Sequence, residues 1–507
     1  MSHVQVFYLM LSFGRMTGSE TGAFFNGFGL AALTRETRWL IVILTAHSIL
    51  WVTAPLIGFA SPPLDVVENL FWGREWLLGT YKHPPLQAWL TEIAWQIGGL
   101  AAVYLLPQLC VMATAIALFL FGRDIDNRQT GFCAALIYLL SFYATIASPE
   151  FNANILSTPF WAFSSYCLWL ILAAKGRPAS TLPWYGLCLS IALAFYSKYS
   201  VIFLLCGLSY ATLLSPFGRQ MFLHSRLYLA IAATLLLCLP NLIWLVQHDF
   251  QPFYYAAARA ENLTGIDRLI NPFKFFVGVT LAFAIPLLLL ALSGARIRET
   301  GIGKPDRLFV YIMAFGPLLT MMFVALAGGT GIKSMWGSSA AVWLPLVLSL
   351  HLTKPAKWRF FNAGRIMAIL LFFVLPAAVL GYSKHSETTP YPQRTAWPGA
   401  ALAKASLSGW QKHSPDLPEI IIGSTWEAGL IAHFLPNRPM VLEDGDFQKS
   451  PWVVPAAVQE KGALVVWTGA NSPIAAFAPF DAHGAVPLLH KGRETEFHWA
   501  VLKPVRD

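Results

Sequence analysis

The sequence predicts a polytopic α-helical membrane protein of about eleven transmembrane helices, with a small C-terminal α/β extracytoplasmic domain. Three observations carry that prediction. Of 507 residues only 12% are Asp, Glu, Lys or Arg, while 56% are apolar; a soluble domain carries about 25% charged residues. Apolar runs of membrane-crossing length recur through residues 39–383. From residue 384 they give way to a Pro-rich polar lead-in and short, strand-sized apolar pieces. With a mean hydropathy of +0.55, too few charges remain to cover a water-facing surface, which excludes a soluble enzyme of this size.

A crossing helix needs about 20 mainly apolar residues to span ~30 Å of hydrocarbon. Candidate runs lie near 39–59, 94–121, 130–147, 155–174, 181–197, 199–214, 227–246, 275–294, 308–328, 337–353 and 366–383. The runs 181–197 and 199–214 are short and separated only by Lys198. Residues 1–38 read as a cytoplasmic N-terminal segment without the basic n-region and cleavage site of a signal peptide, and Met16 is an alternative start.

Basic residues are retained on the cytoplasmic side and so set orientation. Arg35 and Arg38, Arg123 and Arg128, Lys175 and Arg177, Arg219 and Arg226, the group Arg296 to Arg307 and the group Lys354 to Arg365 all fall on one side. The opposite connections carry mostly isolated cations: Arg74, Lys82, Lys198, Arg259, Arg268 and Lys333. This pattern puts the N-terminus in the cytoplasm and residues 384–507 on the periplasmic side of the cell inner membrane. The net charge of +9 is spread between apolar runs, an orientation signal with no nucleic-acid patch. All six cysteines lie inside apolar runs, as small buried hydrophobes, leaving no disulfide framework or Cys-x-x-Cys metal site. In the C-terminal domain, 419–423, 439–442, 463–467 and 497–502 are strand-sized and 425–434 reads as helix, the alternation of an α/β fold.

The first outer connection, residues 60–92, is the densest polar and aromatic stretch of the membrane half. It holds Asp65 and Glu68, then Lys82, His83 and Pro84-Pro85, with Trp72, Trp76 and Trp89 as expected interfacial anchors. A spacing of three puts the two acids on one helical face, and low dielectric nearby raises a carboxyl toward the range of a working base. An arbitrary Asp-x-x-Glu is most often a solvated loop pair; the adjacent cation, imidazole and rigid turn distinguish this one. Lysine is a compact donor for phosphate oxygens, although Lys82 alone could simply snorkel.

The order of an outer-loop Asp with a nearby Glu, followed by YKHPPLQAWL, resembles the polyprenyl-phosphate-dependent glycosyltransferases of the GT-C fold. Similar groups are the bacterial family that is like the dolichyl-phosphate-mannose protein mannosyltransferases and the lipid A aminoarabinose transferases. The resemblance covers most of 39–383 and is most specific at Lys82, Pro84, Pro85, Leu86, Trp89 and Leu90. It implies that Asp65 is the catalytic acid of the first outer loop, with Glu68 as the alternative, and that Lys82 contacts the lipid phosphate. In SPEFNANILSTPFWAF, where relatives often place a second acid, Asn152 and Asn154 stand at the expected positions and Glu150 lies close by. PNLIWLVQHDFQPFYY and GIKSMWGSSAAVWLPL resemble two later outer-edge elements and offer His248, Asp249, Tyr255, Lys333 and Trp336. Each has a plainer reading: a helix-end cap for His248, an interfacial charge for Lys333, an anchor for Trp336.

The resemblance implies sugar transfer from a polyprenyl-phosphate donor to an acceptor hydroxyl of a lipid, glycan or protein, probed by Asp65→Asn. Lys82, with His83, Lys198 or Lys333, would hold the phosphate. A lipid phosphate already leaves readily, so no cofactor and no metal is invoked. No P-loop, HExxH, GxSxG or GxGxxG motif accompanies these residues. Glu443, Asp444 and Asp446 in EDGD lack the further ligands of an EF-hand and read as a turn. The alternative readings are a secondary transporter or lipid flippase, and a non-catalytic scaffold. Carriers usually show inverted halves and mid-bilayer charges, whereas this sequence gathers its polar residues at one membrane face.

Overall fold

The computed structural model describes residues 33–504 except 176–179, 261–262, 293–295, 298, 354–371, 387–392, 470–476, 478 and 491–492. Most of the N-terminal segment, Arg177, Arg298, the Lys354 to Arg365 group and the start of the 366–383 run lie outside the described residues.

The membrane half is helical: α1 (Arg35–Gly58), α2 (Leu64–Arg74), α3 (Leu86–Ile125), α4 (Arg128–Leu139), α5 (Ala153–Ala173), α6 (Leu182–Ser197), α7 (Val201–Leu214), α8 (Pro216–Met221), α9 (Ser225–Gln247), α10 (Gln251–Arg259), α11 (Gly265–Leu281), α12 (Ala284–Leu292), α13 (Lys304–Gly328) and α14 (Leu344–His351). Among the described residues α1, α3, α5, α9 and α13 are long and apolar enough to cross a membrane, and α11 with α12, bent by 57°, makes a sixth. The other runs form shorter helices. The run at 130–147 stays helical only to Leu139 and then folds into buried turns, in which Ser148 bonds Thr145 and accepts from Gln108. That at 337–353 opens with two 3-10 turns, Ser334–Gly337 and Ala340–Trp343, before α14. Helix α3, 40 residues long, is broken at Gly98 and Gly99, whose φ of 58° at Gly99 only glycine adopts easily.

The C-terminal part adds α15 (Gly399–Trp410), β1 (Ile420–Gly423), α16 (Thr425–Phe434), β2 (Met440–Glu443), α17 (Pro455–Lys461), β3 (Ala463–Thr468), β4 (Ala482–His490) and β5 (Arg493–Leu502). The sheet order is β2-β1-β3-β5-β4. Its first three strands are parallel, joined through α16 and α17, and β5 and β4 are antiparallel. The all-buried run Ile420, Ile421, Ile422 of β1 is what a strand covered on both faces requires.

Helix α2 joins the two halves, and its sequence shows why. Val66 and Leu70, one turn apart, pack with Val103, Phe151 and Leu156 of the membrane bundle. Val67 and Phe71, offset by one residue, enter the core of the α/β domain with Trp397, Trp410, Trp426 and Phe497. Asp65, Glu68, Asn69 and Trp72, at spacings of three and four, make the polar stripe between these faces.

Candidate active site

Three short segments meet along that stripe. The loop 148–152 comes first: Asn152 caps α5, its Oδ1 accepting from Asn154 N at 3.0 Å and from Ile155 N at 3.3 Å. Capping fixes the Asn152 amide, whose Nδ2 donates to Asp65 Oδ2 at 3.0 Å. Glu150 Oε1 accepts the Asp65 backbone N–H at 3.3 Å. Asp65 Oδ1 has no hydrogen bond among the described residues.

The turn 80–83 is the second segment. Thr80 N donates to His83 O at 3.0 Å, and Thr80 Oγ1 accepts from His83 N at 3.0 Å, leaving Tyr81 and Lys82 at its corners. Lys82 Nζ lies 2.9 and 2.7 Å from the two oxygens of Glu68, which is 3% exposed, and 5.8 Å from the centre of the Trp72 ring. Both carboxylate oxygens facing one ammonium is the geometry of an ion pair. Burial works against the charge on Lys82, but Glu68 and Asp65 more than offset it and hold it protonated beyond its usual range. Burial, with Lys82, Lys198 and Arg259 nearby, holds His83 well below the usual histidine range. At neutral pH it is therefore a neutral hydrogen-bonding group.

Lys198 is the third contribution. It ends α6, where its Nζ donates to Asn154 Oδ1 at 2.5 Å and faces the charge of Asp65. The structure thus brings Asp65, Glu68, Lys82, His83, Asn154 and Lys198 together. Burial, then the neighbouring Asp65, push the Glu150 carboxyl up to about 7, with Arg394 and Lys82 pulling the other way.

His248, Lys333 and Trp336 make no hydrogen bond or ion pair with this cluster among the described residues. His248 Nδ1 pairs with Trp244 O at 2.9 Å and its ring stacks on Trp244 at 4.3 Å. Lys333 is exposed at the start of a 3-10 turn, and Trp336 packs against the bundle core. Their segments reach the cluster through other residues. Asn241 Nδ2 donates to Leu78 O at 2.5 Å, and the Tyr255 ring meets Tyr81 edge-on at 5.4 Å. Ser339 Oγ donates to Asn154 O at 3.2 Å.

Trp72 departs from its expected interfacial role. It is 1% exposed, and its Nε1 donates to Glu443 Oε2 at 3.0 Å. The reason is its place on the face of α2 that the α/β domain covers. Glu443 also accepts from Thr425 Oγ1 at 2.8 Å and Tyr81 OH at 3.3 Å. Nothing local in EDGD signals this, because the partners lie 371 and 362 positions away. A separate cavity of about 350 Å³, lined by Trp169, Lys175, Ser215 and Lys304, lies at the far end of α5 from Asn154.

Residues 82–244 match the family described as dolichyl-phosphate-mannose-protein mannosyltransferase. The lipopolysaccharide core galacturonosyltransferase RgtB of Rhizobium johnstonii is 24% identical over 459 residues, covering 85% of this chain and 87% of that protein. The lipid A galacturonosyltransferase RgtD of the same organism is 26% identical over 189 residues, covering 37% of this chain and only 39% of RgtD. Among solved structures, ArnT from Cupriavidus metallidurans in the apo state superposes with a TM-score of 0.64 at 13% identity, over 92% of this chain and 98% of ArnT. The same protein bound to undecaprenyl phosphate gives 0.63 at 14% identity, over 91% and 98%. The arrangement of helices and the small C-terminal sheet is therefore that of the ArnT fold.

Proposed function

We propose that the protein transfers a sugar from a polyprenyl-phosphate donor to an acceptor hydroxyl at the periplasmic face of the inner membrane, with inversion at the anomeric carbon. The observation that carries the reading is Asp65: one carboxylate oxygen is held by Asn152 while the other is unengaged, beside two half-buried lysines. Asp65 Oδ1 takes the proton of the acceptor hydroxyl as its oxygen bonds to the anomeric carbon. The bond from that carbon to the phosphate oxygen breaks, and the lipid phosphate departs with the electron pair. Lys82 and Lys198 stabilise the charge that builds on it, and neutral His83 donates a hydrogen bond. Glu68 holds Lys82 in place, which leaves Asp65 as the base. Lys333 would meet the donor at the outer rim; His248 and Trp336 would shape the walls.

In this topology the N-terminus is cytoplasmic and the α/β domain faces the periplasm. The relatives direct the choice of substrates: a galacturonosyl group as the sugar and lipid A or lipopolysaccharide core as the acceptor. The undecaprenyl phosphate held by ArnT supports the donor class. Mass spectrometry of envelope glycolipids, with and without the protein, tests the reading. Expected is a hexuronic acid on lipid A or core that disappears in cells carrying Asp65→Asn; unchanged glycolipids with a stably inserted variant would overturn it.

A further inference from the structure

We propose that Glu443 is a positioning residue for the donor-phosphate loop, acting through Tyr81, so that the α/β domain forms part of the site and does not merely cover it. The inference rests on the reading of Lys82 and His83 as the phosphate-binding loop.

Glu443 ends β2 and is 0% exposed. An isolated buried carboxylate is strongly unfavourable unless hydrogen bonds compensate. Here three donors converge on it: Trp72 Nε1 on Oε2, and Thr425 Oγ1 and the Tyr81 hydroxyl on Oε1. Two of these belong to the membrane half and flank the Glu68–Lys82 pair.

The chain just after Glu443 reinforces the grip. Asp444 and Gly445 take left-handed backbone conformations, φ 54° and 70°, which turn β2 back sharply. Asp446 Oδ1 accepts from Gln448 N at 2.8 Å, and Lys449 returns to pair with Asp444 at 2.7 Å. That places the Lys449 ammonium 5.8 Å from the centre of the Tyr81 ring. Trp72 and Tyr255 meet the same ring edge-on, at 6.1 and 5.4 Å. Tyr81 is thus held by its hydroxyl, by its face and by two aromatic neighbours. It shares the closed turn 80–83 with Lys82, so a fixed Tyr81 restricts where the Lys82 ammonium and the His83 ring can point.

The experiment titrates the full-length protein in lipid nanodiscs with undecaprenyl phosphate. Tyr81→Phe and Glu443→Ala are each expected to raise Kd about tenfold, the loss of a hydrogen bond to a charged group. Glu443→Gln, which can still accept from Trp72 and donate to the two hydroxyls, restores binding to within about threefold of the parent. The double variant Y81F/E443A binds no more weakly than E443A, because both changes remove the same contact. A domain that was merely destabilised would show neither the rescue nor the non-additivity. Should E443A fail to fold, Y81F carries the test, since it leaves Glu443 bonded to Trp72 and Thr425. Binding by Y81F within about twofold of the parent, or fully additive losses, overturns the inference. A parent protein that does not bind undecaprenyl phosphate overturns the donor reading as well; a parent that binds with Y81F unchanged overturns this inference alone.

Discussion

Asp65 and Glu68 lie three residues apart on one helix and are given different work by their neighbours. Asp65→Asn should lower turnover by about 10²- to 10⁴-fold, the usual contribution of a general base, while leaving donor binding intact. Glu68→Gln should instead strip Lys82 of its partner. The expected result is a weaker hold on undecaprenyl phosphate and a loss of about 3 kcal/mol in stability, the lower end for breaking a buried ion pair. A turnover lost only in E68Q would move the base to Glu68. Glu150 supplies a pH test. Its carboxyl titrates at about 7 next to Asp65, so it is neutral below that pH and ionised above it. Ionisation places a second negative charge where the acceptor's proton must be taken up, so kcat/KM should rise through about pH 7, and that rise should vanish in Glu150→Gln. The same shift has a stability counterpart with a definite sign. A carboxyl raised from 4.5 to about 7 in the folded state stabilises fully below 4.5 and loses that contribution as pH climbs through 7.

The elements show which parts of this were legible in the sequence. Asp65, Glu68 and Lys82 lie within 18 residues and declare themselves by spacing and by the Pro-Pro turn. The apolar runs announce helices because only a helix satisfies its own backbone in hydrocarbon. Their interruptions are less visible: the turns after Leu139 and the 3-10 segments before α14 are stabilised by serine hydroxyls bonded to residues distant in the chain. Trp72 reads as an anchor because nothing nearby reveals the domain that buries it. The contact that does so depends on Gly429 of α16, where a Cβ would stand 2.7 Å from Val67 Cγ1 and 2.9 Å from Phe71 Cε1. Gly429→Val should therefore part α16 from α2 and lower stability by about 1–3 kcal/mol, measured as thermal unfolding in detergent, with a matching loss of transfer activity.

For the whole molecule, the two halves are joined by more than packing. Arg438 forms a bidentate pair with Glu92 of α3, at 3.1 and 2.7 Å, donates to Leu70 O at 2.8 Å and lies 5.1 Å from the centre of the Trp95 ring. These contacts tie the α/β domain to α2 and α3. The proposed topology has its own check: a reporter fused at Lys175 should register cytoplasmic and one at the C-terminus periplasmic, and the reverse pattern would remove the donor-facing argument altogether. The Arg438–Glu92 pair links positions 346 apart. Ribosomes deliver Glu92 long before Arg438, so a nascent chain halted anywhere in between lacks this pair and the α/β wall that covers α2. Under the proposed function, transfer by half-made copies is expected to be slow, since the residues that bond Trp72 and Tyr81 arrive only with the α/β domain.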